Sequence, residues 1–327
     1  MNVFSKITLT ACAAISFAAH ASAQTTWIMA SGYPEDSFFT QNIRMFIEEV
    51  EEASNGELSI DLRSNGELIK LDAIRRAVQA GQIQLGEIRF GVYGNESPMY
   101  VLDSLPNVAG DYESSVRLME AQKPWFDRVF EDDGMKILAY QPWPGQGFYT
   151  KFPIESVEQF DGVKMRIYST STQRMGELLG FDATILPYAE VPQAFSTGLI
   201  DALFTSGQTG NDIQAWDYVS DFTYTGSMHN KNGIIVNQRA LGALPEDLQA
   251  AIIAAGEAAT LRGYEMSRIA GENSVAVLKE HGMTVADASP ELLQALEEIG
   301  EVMIEEWSAE ASEDELAVLE AYRASSE

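Results

Sequence analysis

The chain has 327 residues, of which 46% are hydrophobic and 21% are charged, so it has enough apolar material for a sizeable core. This composition excludes a largely disordered chain, a collagen, a coiled coil and a disulfide scaffold. The charge is unusual, because 49 acidic residues outnumber 21 basic ones and the formal net charge is −28. Nucleic acid and anionic membranes repel such a chain, so neither is expected as a partner.

The N-terminus has the pattern of a secretory signal peptide. Lys6 supplies a short positive region, residues 7–19 are apolar, and an A-x-A pattern ends at Ala23. We therefore expect residues 1–23 to be removed by cleavage between Ala23 and Gln24. The apolar run is too short to span a bilayer, which favours a cleaved leader over a membrane anchor. The single cysteine, Cys12, lies inside the leader, so the mature protein is expected to be periplasmic and free of disulfides.

Beyond the leader, the spacing of apolar residues alternates between the strand and helix periods. The predicted strands are 26–30, 58–62, 83–90, 135–140, 163–168, 183–186, 199–204 and 233–237. The predicted helices are 39–50, 71–78, 113–130, 172–179, 189–197 and 246–279, followed by two acidic helices within 291–322. This alternation predicts α/β lobes with mostly parallel sheets. The Pro- and Gly-rich segment 142–147 lies near the middle of the chain and predicts a crossover between the lobes.

The sequence lacks the common enzyme motifs. It contains no phosphate-binding G-x-x-x-x-G-K-[ST], no H-E-x-x-H and no G-x-S-x-G pattern. The mature chain keeps His229 and His281 as its histidines, and neither has the cysteine or acidic spacing of a metal site. We therefore expect a protein that is not an enzyme and that uses no cofactor or metal.

Arginine is scarce in so acidic a chain, and Arg166 lies near the end of a predicted strand. Because Val163, Met165 and Ile167 share one face of that strand, Arg166 points to the other face. Ligands of open α/β sheets bind at the carboxyl ends of strands. A guanidinium there can hold a carboxylate through two hydrogen bonds. The residues alone leave a surface ion pair equally open.

Arg89 also ends a predicted strand, and it shares a strand face with Glu87. Taken alone, this pattern favours an ion pair with Glu87 or Glu96 over ligand binding. Three aromatic residues are likewise more typical of a core than of a ligand platform: Tyr188, Phe204 and Trp216.

Five segments resemble the DctP-type extracytoplasmic solute receptors of TRAP transporters, and they occur in the order found in that family. Residues 160–167 resemble its "l-x-G-l-K-[IML]-R-v" segment, and residues 189–202 resemble its "s-E-v-y-x-A-L-q-x-G-v-v-D-G" segment. Shorter matches lie at 78–83, 103–106 and 244–249. Each match is weak alone, but five in order behind a predicted signal peptide are specific.

The resemblance implies an α/β fold of the two-lobed periplasmic binding protein type, with a central ligand cleft and hinge segments. Lobe I would comprise 24–147 and about 237–275. Lobe II would comprise 148–236 and about 276–327, including the acidic C-terminal helices. The function implied is capture of a small organic anion and its delivery to the small and large membrane subunits of a TRAP transporter. Such a receptor is expected to be a monomer.

The resemblance also implies a binding site in which Arg166 is the main partner of the ligand's carboxylate. By position, Arg89, Gln146, Tyr188 and Thr205 should face the cleft, and the candidate set is completed by Tyr33, Phe204 and Trp216. Gln146 stands where some members carry a second arginine, and Arg89 where acid-sugar-binding members carry an acidic or neutral residue. Ala202 replaces the usual glycine after Asp201. The implied ligand is therefore compact.

A carboxylate, a dicarboxylate and a sulfonate all fit this expectation, and the aromatic residues keep an aromatic acid open. Two other functions also stay open. One is an exported α/β enzyme, which would need a nucleophile, a base or a metal set that the motifs do not provide. The other is a ligand receptor that serves a signalling partner in place of a permease.

Overall fold

The computed structural model describes residues 25–325, so the predicted signal peptide and its cleavage site lie outside the described residues. The strands are β1 (Thr25–Ala30), β2 (Leu58–Arg63), β3 (Leu85–Arg89), β4 (Met135–Pro142), β5 (Gln146–Thr150), β6 (Lys164–Ile167), β7 (Asp182–Ile185), β8 (Ala202–Ser206), β9 (Asp221–Tyr224), β10 (Lys231–Asn237) and β11 (Thr284–Asp287). The helices are α1 (Phe38–Ala53), α2 (Ile74–Gln79), α3 (Tyr112–Asp132), α4 (Thr170–Leu179), α5 (Val191–Ser196), α6 (Gly207–Asp212), α7 (Gln238–Gly242), α8 (Glu246–Glu280), α9 (Pro290–Glu310) and α10 (Glu313–Ala324). Within the described range, none of the helices is both long and apolar enough to cross a membrane.

The strands form two sheets, which confirms the predicted α/β fold with two lobes. The first sheet has the order β2-β1-β3-β10-β4, and the second has the order β11-β9-β5-β8-β6-β7. Strand β10 runs antiparallel to both its neighbours, and so does β5 in the second sheet. The other neighbouring pairs are parallel. Each sheet therefore contains one reversed strand that the expectation of mostly parallel sheets did not identify.

The reversed strands follow from the way the chain crosses between the lobes. Strand β4 ends at Pro142 in the first sheet and β5 begins at Gln146 in the second, which confirms the predicted crossover at 142–147. The chain returns between Tyr224 and Lys231, from β9 to β10. At each crossover the chain leaves one sheet at its carboxyl edge, where the parallel strands end. It enters the other sheet at that sheet's own carboxyl edge. The entering strand must therefore run away from that edge, antiparallel to its neighbours.

The assignment of some elements to lobes differs from the sequence prediction. Strand β10 lies in the first sheet, between β3 and β4, although the predicted boundary gave residues 231–236 to lobe II. Gln146 and Gly147 belong to β5 of the second sheet, although they were assigned to lobe I. Helix α10 lies in the predicted lobe II, but it packs on α3 of the predicted lobe I. Arg128 of α3 pairs with Asp314 of α10 at 2.7 Å. The remaining lobe boundaries stay a prediction.

Helix α8 connects the two lobes along its length. It packs on α1 and β4 of the first lobe and on α6 and β11 of the second. The close approach to β4 requires Gly256, because a Cβ at that position would lie 2.3 Å from the carbonyl oxygen of Leu138.

Candidate functional site

The carboxyl edges of the two sheets face each other and bring together side chains from both lobes. Tyr33 follows β1 and Arg89 ends β3 in the first lobe, while Tyr168 follows β6 and Tyr188 follows β7 in the second. Arg89 Nη2 donates a hydrogen bond to the carbonyl of Tyr168 at 2.6 Å. The rings of Tyr33 and Tyr188 meet edge to face, with centroids 5.7 Å apart. These contacts between lobes describe a closed cleft.

Arg166 is buried in this cleft without an acidic partner. Its side chain faces away from Met165 and Ile167, which are fully buried in the core as predicted. Only 4% of Arg166 is exposed, and its Nε and Nη2 donate to the carbonyl of Leu186 at 3.2 and 3.1 Å. Burial, with a smaller effect from nearby Arg89, lowers the pKa of Arg166 to about 10, so the guanidinium stays protonated at neutral pH. Among residues 25–325, no carboxylate forms an ion pair with Arg89 or Arg166.

A tyrosine ring lies between the two arginines. The Cζ atoms of Arg89 and Arg166 lie 5.1 and 5.5 Å from the centroid of the Tyr168 ring. The Tyr168 hydroxyl donates to Asn230 Oδ1 at 2.8 Å, which fixes the ring. Glu96 is not available to Arg89, because it pairs with Arg75 at 2.6 Å. The arrangement therefore leaves two cations close together at the cleft.

A buried carboxylate lies on the same strand face as Arg89. Glu87 is 2% exposed, and it accepts hydrogen bonds from Ser31 Oγ and from Asn232 Nδ2, the latter at 2.9 Å. Trp143 Nε1 in turn donates to Asn232 Oδ1 at 2.9 Å. Burial raises the pKa of Glu87 to about 7, although both hydrogen bonds oppose that rise. The cleft thus offers strong donors and one strong acceptor.

Aromatic rings close the site around Tyr33. Its ring lies 5.2 Å from that of Phe39 and 5.3 Å from that of Trp143, in addition to its contact with Tyr188. The Tyr188 hydroxyl donates to Asp212 Oδ2 at 3.1 Å. Burial and the Glu87 carboxylate raise the pKa of Tyr33. Both arginines act on this pKa in the opposite direction.

Two more of the sequence-predicted residues lie at the edge of the second sheet. Gln146 is buried and its Nε2 donates to the carbonyl of Pro144 at 2.9 Å, which stabilises the crossover. Thr205 is buried in β8, where it pairs with Gly147 of β5. Both positions are at the carboxyl edge, but these contacts are structural ones.

Phe204 and Trp216 have the contacts of packed residues. Phe204 is fully buried and packs against Phe148, with ring centroids 4.8 Å apart. It supports the site indirectly, since its ring also stacks on Tyr168 at 6.4 Å. The rings of Trp216 and His281 stack with centroids 3.8 Å apart, and among residues 25–325 the cleft arginines lie over the Tyr168 ring and not over that of Trp216. The structure therefore groups Arg166, Arg89, Tyr33 and Tyr188, and leaves Trp216 outside that group.

The sequence analysis missed several residues of this cleft: Ser31, Glu87, Trp143, Tyr168 and Asn232. Two of them had a signal in the strand period, because Glu87 is two residues before Arg89 and Tyr168 is two residues after Arg166. Within residues 25–325, no cluster of three or more His, Asp or Glu residues could hold a metal ion.

Comparison with known proteins gives matches over most of the chain. A sequence model of the family described as bacterial extracellular solute-binding protein, family 7 (DctP), matches residues 29–310. DctP7 of Bordetella pertussis, an extracytoplasmic solute receptor binding pyroglutamic acid, is 38% identical with a TM-score of 0.88, over 91% of this chain and 99% of its own. DctP6 of the same organism, also binding pyroglutamic acid, is 35% identical with a TM-score of 0.89, over 92% of this chain and 100% of its own.

A third similar structure comes from a marine metagenome. This TRAP solute-binding protein, specific for pyroglutamate, is 30% identical with a TM-score of 0.88, over 92% of this chain and 99% of its own.

Proposed function

Because the chain belongs to the bacterial extracellular solute-binding protein family 7, we propose that it is the periplasmic receptor of a TRAP transporter and that its ligand is pyroglutamate. The observation that carries the proposal is a pair of cleft arginines, the buried Arg166 and the half-buried Arg89, which form no ion pair with a carboxylate among residues 25–325. Burying a cation without a counter-ion is unfavourable, so the site is completed by an anion. The likeness to three pyroglutamate-binding structures at 30–38% identity supports this choice of anion.

The chemistry of pyroglutamate suits the groups at the cleft. It carries one carboxylate, one lactam carbonyl and one lactam N–H on a compact ring. In the proposed complex, Arg166 holds the carboxylate, since a guanidinium can make two parallel hydrogen bonds to it. Arg89 supplies further donors from the opposite lobe. The aromatic wall of Tyr33, Trp143 and Tyr188 covers the ring and excludes water.

The proposed receptor carries out no chemical reaction. It closes on the anion in the periplasm and presents the closed form to the small and large membrane subunits of the transporter. The contacts between Arg89 and Tyr168 and between Tyr33 and Tyr188 support this mechanism, because each joins one lobe to the other. They form only when the cleft is closed, so ligand binding and closure favour each other.

A thermal-shift and calorimetry panel tests the proposal directly. The purified chain would be titrated with pyroglutamate, glutamate, succinate and galacturonate. A ligand at about 100 times its Kd adds about 2.7 kcal/mol of stability, so pyroglutamate should raise Tm clearly and the other acids should not. A flat response to millimolar pyroglutamate would overturn the proposed ligand. Uptake of labelled pyroglutamate into vesicles carrying the membrane subunits, only when the receptor is added, tests delivery.

A further inference from the structure

Glu87 is a buried carboxylate whose charge the fold does not neutralise. Among residues 25–325 it accepts hydrogen bonds from Ser31 and Asn232, which are neutral, and forms no ion pair. Asp103 shows how the same chain neutralises a carboxylate that is only structural. Its partner Lys231 lies 2.8 Å away, and both side chains are 3% exposed.

A second buried glutamate provides a useful contrast. Glu315 is 5% exposed and also accepts from two serines, Ser97 and Ser312. Its role is local, because it completes the capping box at the start of α10. Glu87 lies within β3 and caps no helix, so its burial needs a different explanation.

The position of Glu87 supplies that explanation. It shares a strand face with Arg89, and Asn232, its donor, is paired with Arg89 across β3 and β10. An ionised carboxylate has about four acceptor positions, of which Ser31 and Asn232 use two. The next donor can come from a molecule in the cleft, because Asn232 also accepts from Trp143, whose ring lies 5.3 Å from that of Tyr33 in the cleft wall.

The charges of the cleft restrict what that molecule can be. Arg89, Arg166 and an ionised Glu87 together carry one net positive charge, which a monoanion neutralises. A dianion would add a second negative charge beside a buried carboxylate, which is unfavourable in a site closed to water. An anion without a donor group would leave Glu87 facing an acceptor atom.

We infer that Glu87 is a specificity-determining residue, which accepts a hydrogen bond from a ligand N–H and limits the cleft to monoanions that carry such a donor. This inference rests on the proposed function, in which the lactam N–H of pyroglutamate is the donor. Discrimination then comes from the cost of leaving Glu87 unpaired when the donor is missing.

A matched pair of ligands isolates this hydrogen bond. The lactone analogue of pyroglutamate keeps the ring, the carboxylate and the carbonyl, but an ester oxygen replaces the N–H. We expect the wild-type protein to bind the lactam at least about 100-fold more tightly than the lactone, because sites built around a donor reject analogues that lack it. In Glu87→Gln this ratio should fall below about tenfold, since the amide can donate to the ester oxygen.

A second readout is the response to a dianion. Glutarate should bind Glu87→Gln at least about tenfold more tightly than it binds wild type, because the like charge has been removed. The control is Glu315→Gln, the same change in a buried glutamate outside the cleft, which should leave both measurements unchanged.

The outcomes separate this inference from the proposed ligand. If wild type does not bind pyroglutamate, the proposed ligand is wrong and this role of Glu87 is wrong with it. If wild type binds pyroglutamate but Glu87→Gln keeps the lactam-to-lactone ratio, only the role of Glu87 is overturned. Melting temperature confirms that each variant is folded.

Wild type alone gives an independent test through pH, should Glu87→Gln fail to fold. From pH 5.5 to 8, affinity for the lactam should rise, because its N–H bonds best to the ionised carboxylate. Affinity for the lactone should fall over the same range, because ionisation places a charge beside it. The other charged and titratable groups of the cleft are Tyr33, Arg89, Arg166 and Tyr168. Burial raises the pKa of both tyrosines and leaves that of Arg166 at about 10, so these three groups keep their protonation over this range. Parallel pH profiles for the two ligands would contradict the inference.

Discussion

At the scale of single residues, Arg166 is buried and forms no ion pair among residues 25–325, and on this ground we propose that it acts in binding. We expect Arg166→Ala to weaken pyroglutamate binding by about 30-fold to several thousand-fold, equivalent to about 2–5 kcal/mol. Arg166→Lys should restore only part of the affinity, because an ammonium cannot make the planar two-point contact. Calorimetry measures all three proteins.

The control for Arg166 is Arg174→Ala, on the helix that follows. Arg174 is exposed and pairs with Glu306 at 2.7 Å, so its loss should leave affinity unchanged. A folded Arg166→Ala protein that binds within about threefold of wild type would remove Arg166 from the site.

Glu87 should make the empty protein less stable as pH rises. Its pKa is about 7 in the folded state and 4.5 as the ordinary value, so between these values the folded state binds more protons than the unfolded state. Stability is therefore lost across that window, by about 3 kcal/mol in full. Glu87→Gln removes this loss, because the amide has no charge. Urea denaturation without ligand at pH 5 and pH 8 should show wild type losing about 2–3 kcal/mol relative to Glu87→Gln. A difference in the free energy of unfolding between wild type and Glu87→Gln that does not change with pH would contradict this prediction.

The sequence could predict the cations of the site better than their surroundings. Arg166 and Arg89 could be predicted because a position at a predicted strand end and a family resemblance can both be recognised from the sequence alone. Asn232 and Trp143 could not be found in this way, because their roles depend on β10 entering the first sheet beside β3. The residues alone favour an ion pair of Arg89 with Glu87 or Glu96, and only the contacts show that Glu87 accepts from Ser31 and Asn232 and that Glu96 pairs with Arg75.

At the scale of secondary structure, long periodic segments were predicted well and short paired strands were not. Helices α3 and α8 differ from their predicted bounds by at most two residues at either end. Strands β5, β9 and β11 were missed. They have four or five residues each, and all three pair with strands far away in the sequence. Their conformation depends on pairing more than on local pattern.

The packing of α8 on β4 gives a prediction for Gly256. In Gly256→Ala the new Cβ meets the Leu138 carbonyl oxygen, so the helix must move away from the sheet. We expect a loss of about 1–3 kcal/mol in the free energy of unfolding, despite the better helix propensity of alanine. Gly242→Ala is the matched control, because no atom lies within 4 Å of a Cβ there. Urea denaturation checks both, and a Gly256→Ala protein as stable as wild type would show that this contact is not tight.

At the scale of the whole molecule, the net charge of −28 should make stability depend on salt. Residues 291–327 contain twelve acidic residues and Arg323 as their one base. Repulsion among such charges opposes the compact state, and salt screens it over about 8–10 Å at physiological ionic strength. We expect Tm to rise as salt is added from low levels, and a flat or falling Tm would exclude this effect.

A double variant tests whether the salt dependence of Tm arises from the C-terminal helices. Glu297 and Glu301 are exposed, four residues apart on α9, where like charges repel. Changing both to glutamine should raise Tm at low salt and reduce its salt dependence. An unchanged salt dependence would locate the repulsion elsewhere on the surface.

The place of β10 in the middle of the first sheet has a consequence for how the chain acquires its structure. Residues 231–237 follow most of the second lobe in sequence, yet β3 and β4 are joined only through them. A chain that ended near residue 150 would leave both strands with unpaired edges, which favour aggregation. The first lobe therefore cannot complete its sheet until most of the second lobe has been synthesised. Pairing over so long a sequence separation also makes folding slow. Since the first sheet is completed by chain that returns from the second lobe, and α8 packs on both lobes, we expect the two to unfold in one cooperative transition.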